Sequence, residues 1–168
     1  MFIKWLRESQ AASGLLTIIR FYLGYEWLIA GFGKITGGFD TTGFLKGAVA
    51  KAGGEHPAVQ GWWADFLSGF AIPNAELFNF LIPWGEFLVG LGLILGCLTT
   101  AAAFFGIVMN FAFLFSGTTS TNPQMVLLTI FLLVAGYNAG KFGLDRFVIP
   151  VIRKKFGKHK DQNHPFAA

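Results

Sequence analysis

An apolar run from about Ala12 to Ile35 constrains this chain more than any other stretch. A helix needs about 20 consecutive apolar residues to cross the hydrocarbon core of a bilayer, and the run exceeds that. It nevertheless carries Arg20 and Glu26. Wound as a helix, it places Arg20, Gly24, Trp27, Gly31 and Lys34 on one stripe, with Tyr22, Glu26 and Gly33 clustered on roughly the opposite side. Ionisable groups in a spanning helix are rare and face a bundle interior or a wet cavity. Glycines let a second backbone come close. The segment RFYLGYEWLIAGFGK therefore predicts a charged, aromatic-lined site that neighbouring helices complete.

The rest of the chain fits a membrane setting. Charged residues make up 13% of its 168 positions, against about 25% in a soluble domain, and mean hydropathy is +0.55. Glycine, present 22 times, is commoner in membrane helices than in soluble ones. The net charge of +4 comes largely from Arg153, Lys154, Lys155, Lys158 and Lys160. Beside so apolar a chain this cluster reads as a cytoplasmic flank, not a nucleic-acid surface, so no nucleic-acid partner is expected. The single cysteine, Cys97, excludes an internal disulfide and a CxxC dithiol mechanism. Lys4 and Arg7 before the first apolar run imitate a signal peptide. The run is too long and lacks a small-residue cleavage site, so it reads as an uncleaved first span.

Four spans are predicted, at about 12–35, 75–97, 101–117 and 124–143, with Pro83 kinking the second. Residues 40–74 read as a cap on the membrane surface. In it TTGFLKGAVAKA forms a short helix capped by Thr41 or Thr42, GEHPAVQ turns, and GWWADFLSGFAI forms a second helix anchored by Trp62 and Trp63. After Pro150 the chain is basic and reads as disordered, giving a tail at 151–168. The expected fold is all-α: an integral membrane four-helix bundle with a short amphipathic cap between helices 1 and 2, as one domain over 1–150. An even number of spans puts both termini on one side, and the Lys/Arg bias makes that side cytoplasmic. The lipid bilayer is then the first partner. The Gly-xxx-Gly faces serve packing within the bundle or between copies in a homo-oligomer.

The candidate catalytic residues are Arg20, Glu26 and Glu86. Helix rise puts Arg20 and Glu86 at similar depth on antiparallel helices, which predicts an Arg20–Glu86 ion pair. On the second helix Asn79, Glu86, Gly90 and Cys97 share a face. A buried carboxyl without a cation can pass protons, and Tyr22 lies one turn from Glu26 to share a hydrogen bond. Trp27, Trp84 and Tyr25 offer flat walls for a ring, and Asn110 and Asn138 add polar groups at membrane depth. The binding set is Tyr22, Trp27, Trp84, Asn110 and Asn138. The plainer reading makes Asn110 and Asn138 hydrogen-bonding glue between helices, Lys34 and Glu76 snorkelling residues, and Cys97 a packing residue. His56, His159 and His164 lie in loops or the tail, so no haem or metal is expected. The glycines follow no strand, which removes a dinucleotide motif.

RFYLGYEWLIAGFGK, then PWGEFLVGLGLILG, then TNPQ and GYNAGKFGLDR, in that order, resemble the DoxX/DoxD family over nearly all of residues 12–150. The resemblance implies a four-helix protein of the bacterial or archaeal cytoplasmic membrane. The DoxD member is the large subunit of a thiosulfate:quinone oxidoreductase and acts with a smaller subunit. Other DoxX members are associated with membrane oxidoreductase complexes and with resistance to oxidative or quinone stress. Carried over by position, the implied polar residues are Arg20, Lys34, Glu86, Asn122 and Asp145. The expected function is a quinone-interacting subunit of a membrane oxidoreductase, with quinone as cofactor and a second subunit as partner. Arg20 would stabilise reduced oxygen and Glu86 or Glu26 would relay protons. The alternative is a non-catalytic membrane scaffold that recruits partners through its cap or tail. A scaffold needs only one carboxylate to answer Arg20, and Glu26 then has no task.

Overall fold

The computed structural model of the protein describes residues 1–157, and among them there are helices and no strand. Helix α1 is Phe2–Glu8 and α2 is Gln10–Gly37, separated by an elbow at Ser9, whose backbone is extended (φ −77°, ψ 138°). The cap follows as α3, Thr41–Ala50, and α4, Gly61–Phe66, which widens into a π turn over Leu67–Ala71. Helix α5 is Ala75–Leu95, α6 is Thr99–Phe115 and α7 is Asn122–Ala135. A single turn, α8, Tyr137–Gly140, leads to α9, Asp145–Gly157.

Helices α2, α5, α6 and α7 form a ring in which each packs on the next. Two of them, α2 and α5, are long and apolar enough to cross a membrane, while α6 and α7 are shorter apolar helices. The ring is apolar on its outer surface as well as in its core, where Leu16, Leu23, Leu93 and Leu132 are buried. Its outer surface presents Leu15, Ile18, Phe21, Tyr25, Ile29 and Phe32 from α2, and Phe80, Trp84, Leu88 and Leu91 from α5. Its interior holds Arg20, Glu86, Asn110, Asn122, Asn138 and Asp145, all buried. Continuous apolar exposure on this scale marks a surface that water does not cover.

The seam between α2 and α5 sets the register of everything else. A Cβ on Gly31 would collide with the backbone of Phe87 and Pro83, and one on Gly90 would collide with the backbone of Leu28 and Gly24. The two helices therefore run antiparallel with backbones in contact. In this register Arg20 lies level with Gly96 and the level of Glu86 is reached about ten residues later, near Ala30. Ten residues are about 15 Å of helix. The expected Arg20–Glu86 pair does not form, because close glycine contacts, not helix midpoints, align the pair. Gly31→Ala is expected to lower stability by about 1–3 kcal/mol, the range for overpacking, whereas Gly33→Ala, with open space around it, should slightly raise it. Thermal unfolding in mild detergent reads both, and equal melting temperatures would remove the seam from the account.

Three boundaries differ from the sequence expectation. The last predicted span, 124–143, is broken at Gly136, where φ is +58°. The chain is helical through Pro150 to Gly157, so the part of the tail over 151–157 is ordered. The rest, 158–168, lies outside the described residues and contains His159 and His164. The N-cap of α3 is Asp40, whose carboxylate accepts from the backbone N–H groups of Thr42 (2.9 Å) and Gly43 (3.1 Å), as short acidic side chains do at helix starts. The cap is pinned to the helix ends below it. Trp63 Nε1 donates to Ser116 Oγ at 3.0 Å, Lys51 Nζ to the Gly117 carbonyl at 3.0 Å, and the Thr41 N–H to Asn79 Oδ1 at 2.9 Å. Leu45, Ala48, Leu67 and Ala71 are its own apolar core.

Candidate functional site

Glu86 sits on the inner face of α5, and its side chain is 1% exposed. One turn beyond the Gly31 contact, Lys34 reaches back to it. Lys34 Nζ donates to Glu86 Oε1 at 2.8 Å and to Oε2 at 2.6 Å. This is the one ion pair among the described residues. Placing a cation beside a carboxylate offsets desolvation that neither group would tolerate alone. The Lys34 ammonium also lies 5.5 Å from the Phe39 ring centroid and 5.7 Å from that of Phe113. Rings at that distance attract a cation through their quadrupoles.

The pair borders a cavity of about 240 Å³. Glu26, Trp27 and Ala30 of α2 form one wall, and Phe39 and Phe44 close it from the cap side. Phe113 of α6, Thr118, Ser120 and Thr121 of the α6–α7 loop, and Asn122 and Met125 of α7 complete it. Asn122 is held in place, since its Oδ1 accepts from Asn110 Nδ2 at 2.8 Å and its Nδ2 donates to the Thr118 carbonyl at 3.0 Å. Two buried polar atoms in this region, Trp27 Nε1 and Asn110 Oδ1, have no partner among the described residues. Buried donors and acceptors are rarely left so. A cation, two carboxylates, four aromatic side chains and a fixed amide thus surround one small space.

Of the expected catalytic set, Glu26 and Glu86 line this cavity and Arg20 does not. Of the expected binding set, Trp27 lines it and Asn110 supports it from behind. Tyr22 is exposed, and its hydroxyl accepts from Gln124 Nε2 at 2.9 Å, tying α2 to α7 and not to Glu26. Trp84 faces outward beside Phe80 and Phe87 and cannot wall the site. Tyr25 is likewise exposed. Asn138 is at the far end. Its Nδ2 donates to the Leu6 and Ser9 carbonyls at 2.9 and 3.0 Å, and its own carbonyl accepts from Ser13 Oγ at 2.9 Å, so it is glue for the α1–α2 elbow. Lys34, taken from sequence as a snorkelling residue, is the central cation. Its place on the stripe of Trp27 and Gly31 was the available signal. Phe113 and Met125 carried none, being apolar residues in apolar helices.

Arg20 belongs to a second centre at the other end of α2. Its side chain is 1% exposed and lies against Gly96 and Gly143, where a Cβ would overlap the guanidinium. Asp145, buried at the start of α9, supplies the opposing charge. That carboxylate accepts from the Leu98 N–H at 2.6 Å and the Thr99 N–H at 2.9 Å, capping α6. The Leu144 and Asp145 N–H groups in turn donate to the carbonyls of Leu95 and Gly96 at 3.1 and 2.7 Å. The five polar positions implied by resemblance thus divide: Lys34, Glu86 and Asn122 at the cavity, Arg20 and Asp145 at this clasp. One family model, described as DoxX, matches residues 15–119. No curated protein and no solved structure matches the chain.

Proposed function

The chain belongs to the DoxX family, and from that premise we propose that it is a membrane protein with a quinone head-group site between Lys34 and Glu86, acting as a subunit of a membrane oxidoreductase. All four ring helices cross the bilayer in this reading, with both termini in the cytoplasm, where Lys4, Arg7, Arg146, Arg153, Lys154 and Lys155 gather. The supporting observation is the ion pair between half-buried Lys34 and fully buried Glu86 at the wall of an aromatic cavity.

The residues present fit a quinone. The cavity, about 240 Å³, is smaller than the roughly 300–1,000 Å³ that encloses a drug-sized ligand. It suits a ring with its apolar tail left outside among lipids. An ammonium has three N–H donors, and Glu86 takes two of those of Lys34. The third is free for a ligand oxygen. Phe39, Phe44 and Phe113 exclude water and offer faces to a ring. A quinone held here by Lys34 and the aromatic walls would supply two-electron, two-proton redox chemistry, with the electrons drawn from a donor in a partner subunit. Glu26 and Glu86 are placed to hold protons at the cavity wall.

Quinone retention tests this. Protein purified in mild detergent is extracted with organic solvent and the extract is analysed by mass spectrometry. The wild type is expected to retain about one quinone per chain. The double variant Lys34→Met/Glu86→Leu, which removes both charges together, is expected to retain less than a tenth of that, the factor that corresponds to losing about 1.4 kcal/mol of binding. Equal retention in the two proteins, or no quinone in the wild type even after addition, would leave the scaffold reading in its place.

A further inference from the structure

Arg20 has an electrostatic partner but lacks hydrogen bonds. Both Asp145 oxygens are engaged by the Leu98 and Thr99 N–H groups, and Arg20 Nε and Nη1 are buried without an acceptor among the described residues. A buried donor left empty is costly, and a guanidinium is the group best matched to a phosphate. Beside it runs a groove of about 490 Å³, lined by Arg20, Phe21, Ile94, Leu95, Phe142 and Arg146 among others. The two arginines are its only charged lining residues, and the remaining walls are apolar. Phe21 and Leu95 also belong to the exposed outer faces of α2 and α5, so the groove is continuous with the apolar girdle of the ring.

We propose that this groove binds an anionic phospholipid, with the phosphate held between Arg20 and Arg146 and an acyl chain lying over Phe21, Ile94 and Leu95. The apolar walls select a lipid over a free phosphate, which has no use for them. The surroundings agree in charge. Helix α9 places Arg153, Lys154 and Lys155 at the same end and exposes Phe147, Val151 and Phe156. A basic amphipathic helix of this kind lies in the headgroup layer and gathers anionic lipid. The lipid would complete the hydrogen bonding of the clasp that joins α2, α5 and α9, independently of the cavity at Lys34.

The test uses the full chain reconstituted in vesicles of equal phosphatidylglycerol and phosphatidylcholine, re-extracted in mild detergent and examined by native mass spectrometry. Wild type is expected to carry phosphatidylglycerol in preference to phosphatidylcholine. Arg146→Ala, at an exposed position, should lower that preference about fivefold, the factor expected for one basic residue at an anionic surface. Arg153→Ala, on α9 but outside the groove, removes only part of the general surface attraction and should lower the preference clearly less than Arg146→Ala does. The proposal is overturned if the two lipids are retained equally, if Arg153→Ala acts as strongly as Arg146→Ala, or if millimolar inorganic phosphate displaces the phosphatidylglycerol. Quinone retention measured on Arg146→Ala should match wild type, which keeps this outcome separate from that of the cavity.

Discussion

Lys34→Met is expected to destabilise the protein by about 3–5 kcal/mol, the cost of leaving one member of a buried ion pair without its partner. Glu86 cannot turn to water, because its side chain is 1% exposed and the backbones of α2 and α5 touch one turn away at Gly31. Among the described residues no second cation is within ion-pair distance of it. Replacing both charges, as in Lys34→Met/Glu86→Leu, should recover most of the loss, since well-packed apolar substitutes for a buried pair are often neutral or better. Unfolding in mild detergent across the four-member cycle measures the coupling directly. Additive losses would mean that Lys34 and Glu86 act separately, and the central pair would have to be abandoned.

The second large effect is expected at the opposite end. Asp145→Ala removes the acceptor for the Leu98 and Thr99 N–H groups, a helix-capping loss of about 0.5–2 kcal/mol. It also removes the opposing charge that acts on buried Arg20, which adds to the loss although the two groups are not within ion-pair distance. Asp145→Asn separates the two contributions, because an amide keeps one acceptor while giving up the charge. Most of the loss should persist in the Asn variant, and Arg20→Met introduced beside Asp145→Ala should relieve it. If Asp145→Asn melts with wild type, capping alone accounts for what Asp145 contributes to this clasp, and Arg20 is stabilised by other means.

The inward stripe of α2 was legible because helical period depends only on neighbouring residues. Arg20, Gly24, Trp27 and Gly31 are all buried, and Lys34 joins them at the cavity. The partner of Arg20 was not legible, because partnership depends on how one helix slides along another. The glycines that decide it, Gly24, Gly31 and Gly90, were visible as small residues but not as the points of contact. Trp84 was misplaced for a related reason. In a membrane setting an aromatic residue is as stable on the outside of a ring as inside it, so aromatic character does not choose a face. The break at Gly136 depends on a positive φ, a conformation glycine permits but does not announce. The helix over 151–157 hides behind Pro150, although its basic last turn, Lys154 and Lys155, complements the carbonyl end of a helix.

The seam between α2 and α5 has a mechanical consequence. Helices whose backbones touch cannot approach further and lose packing if they part, so the wall carrying Glu26, Trp27, Lys34 and Glu86 is stiff. The facing wall is built differently. It is a loop with left-handed backbone at Gly117 and Ser120 (φ +69° and +38°), together with Phe39 and Phe44 at the border of the cap. Breathing of the cavity is therefore concentrated on one side. Amide hydrogen exchange should be fast over 117–121 and slow along Gly24–Gly31, with admission of a ligand governed by the loop while the charged pair stays still.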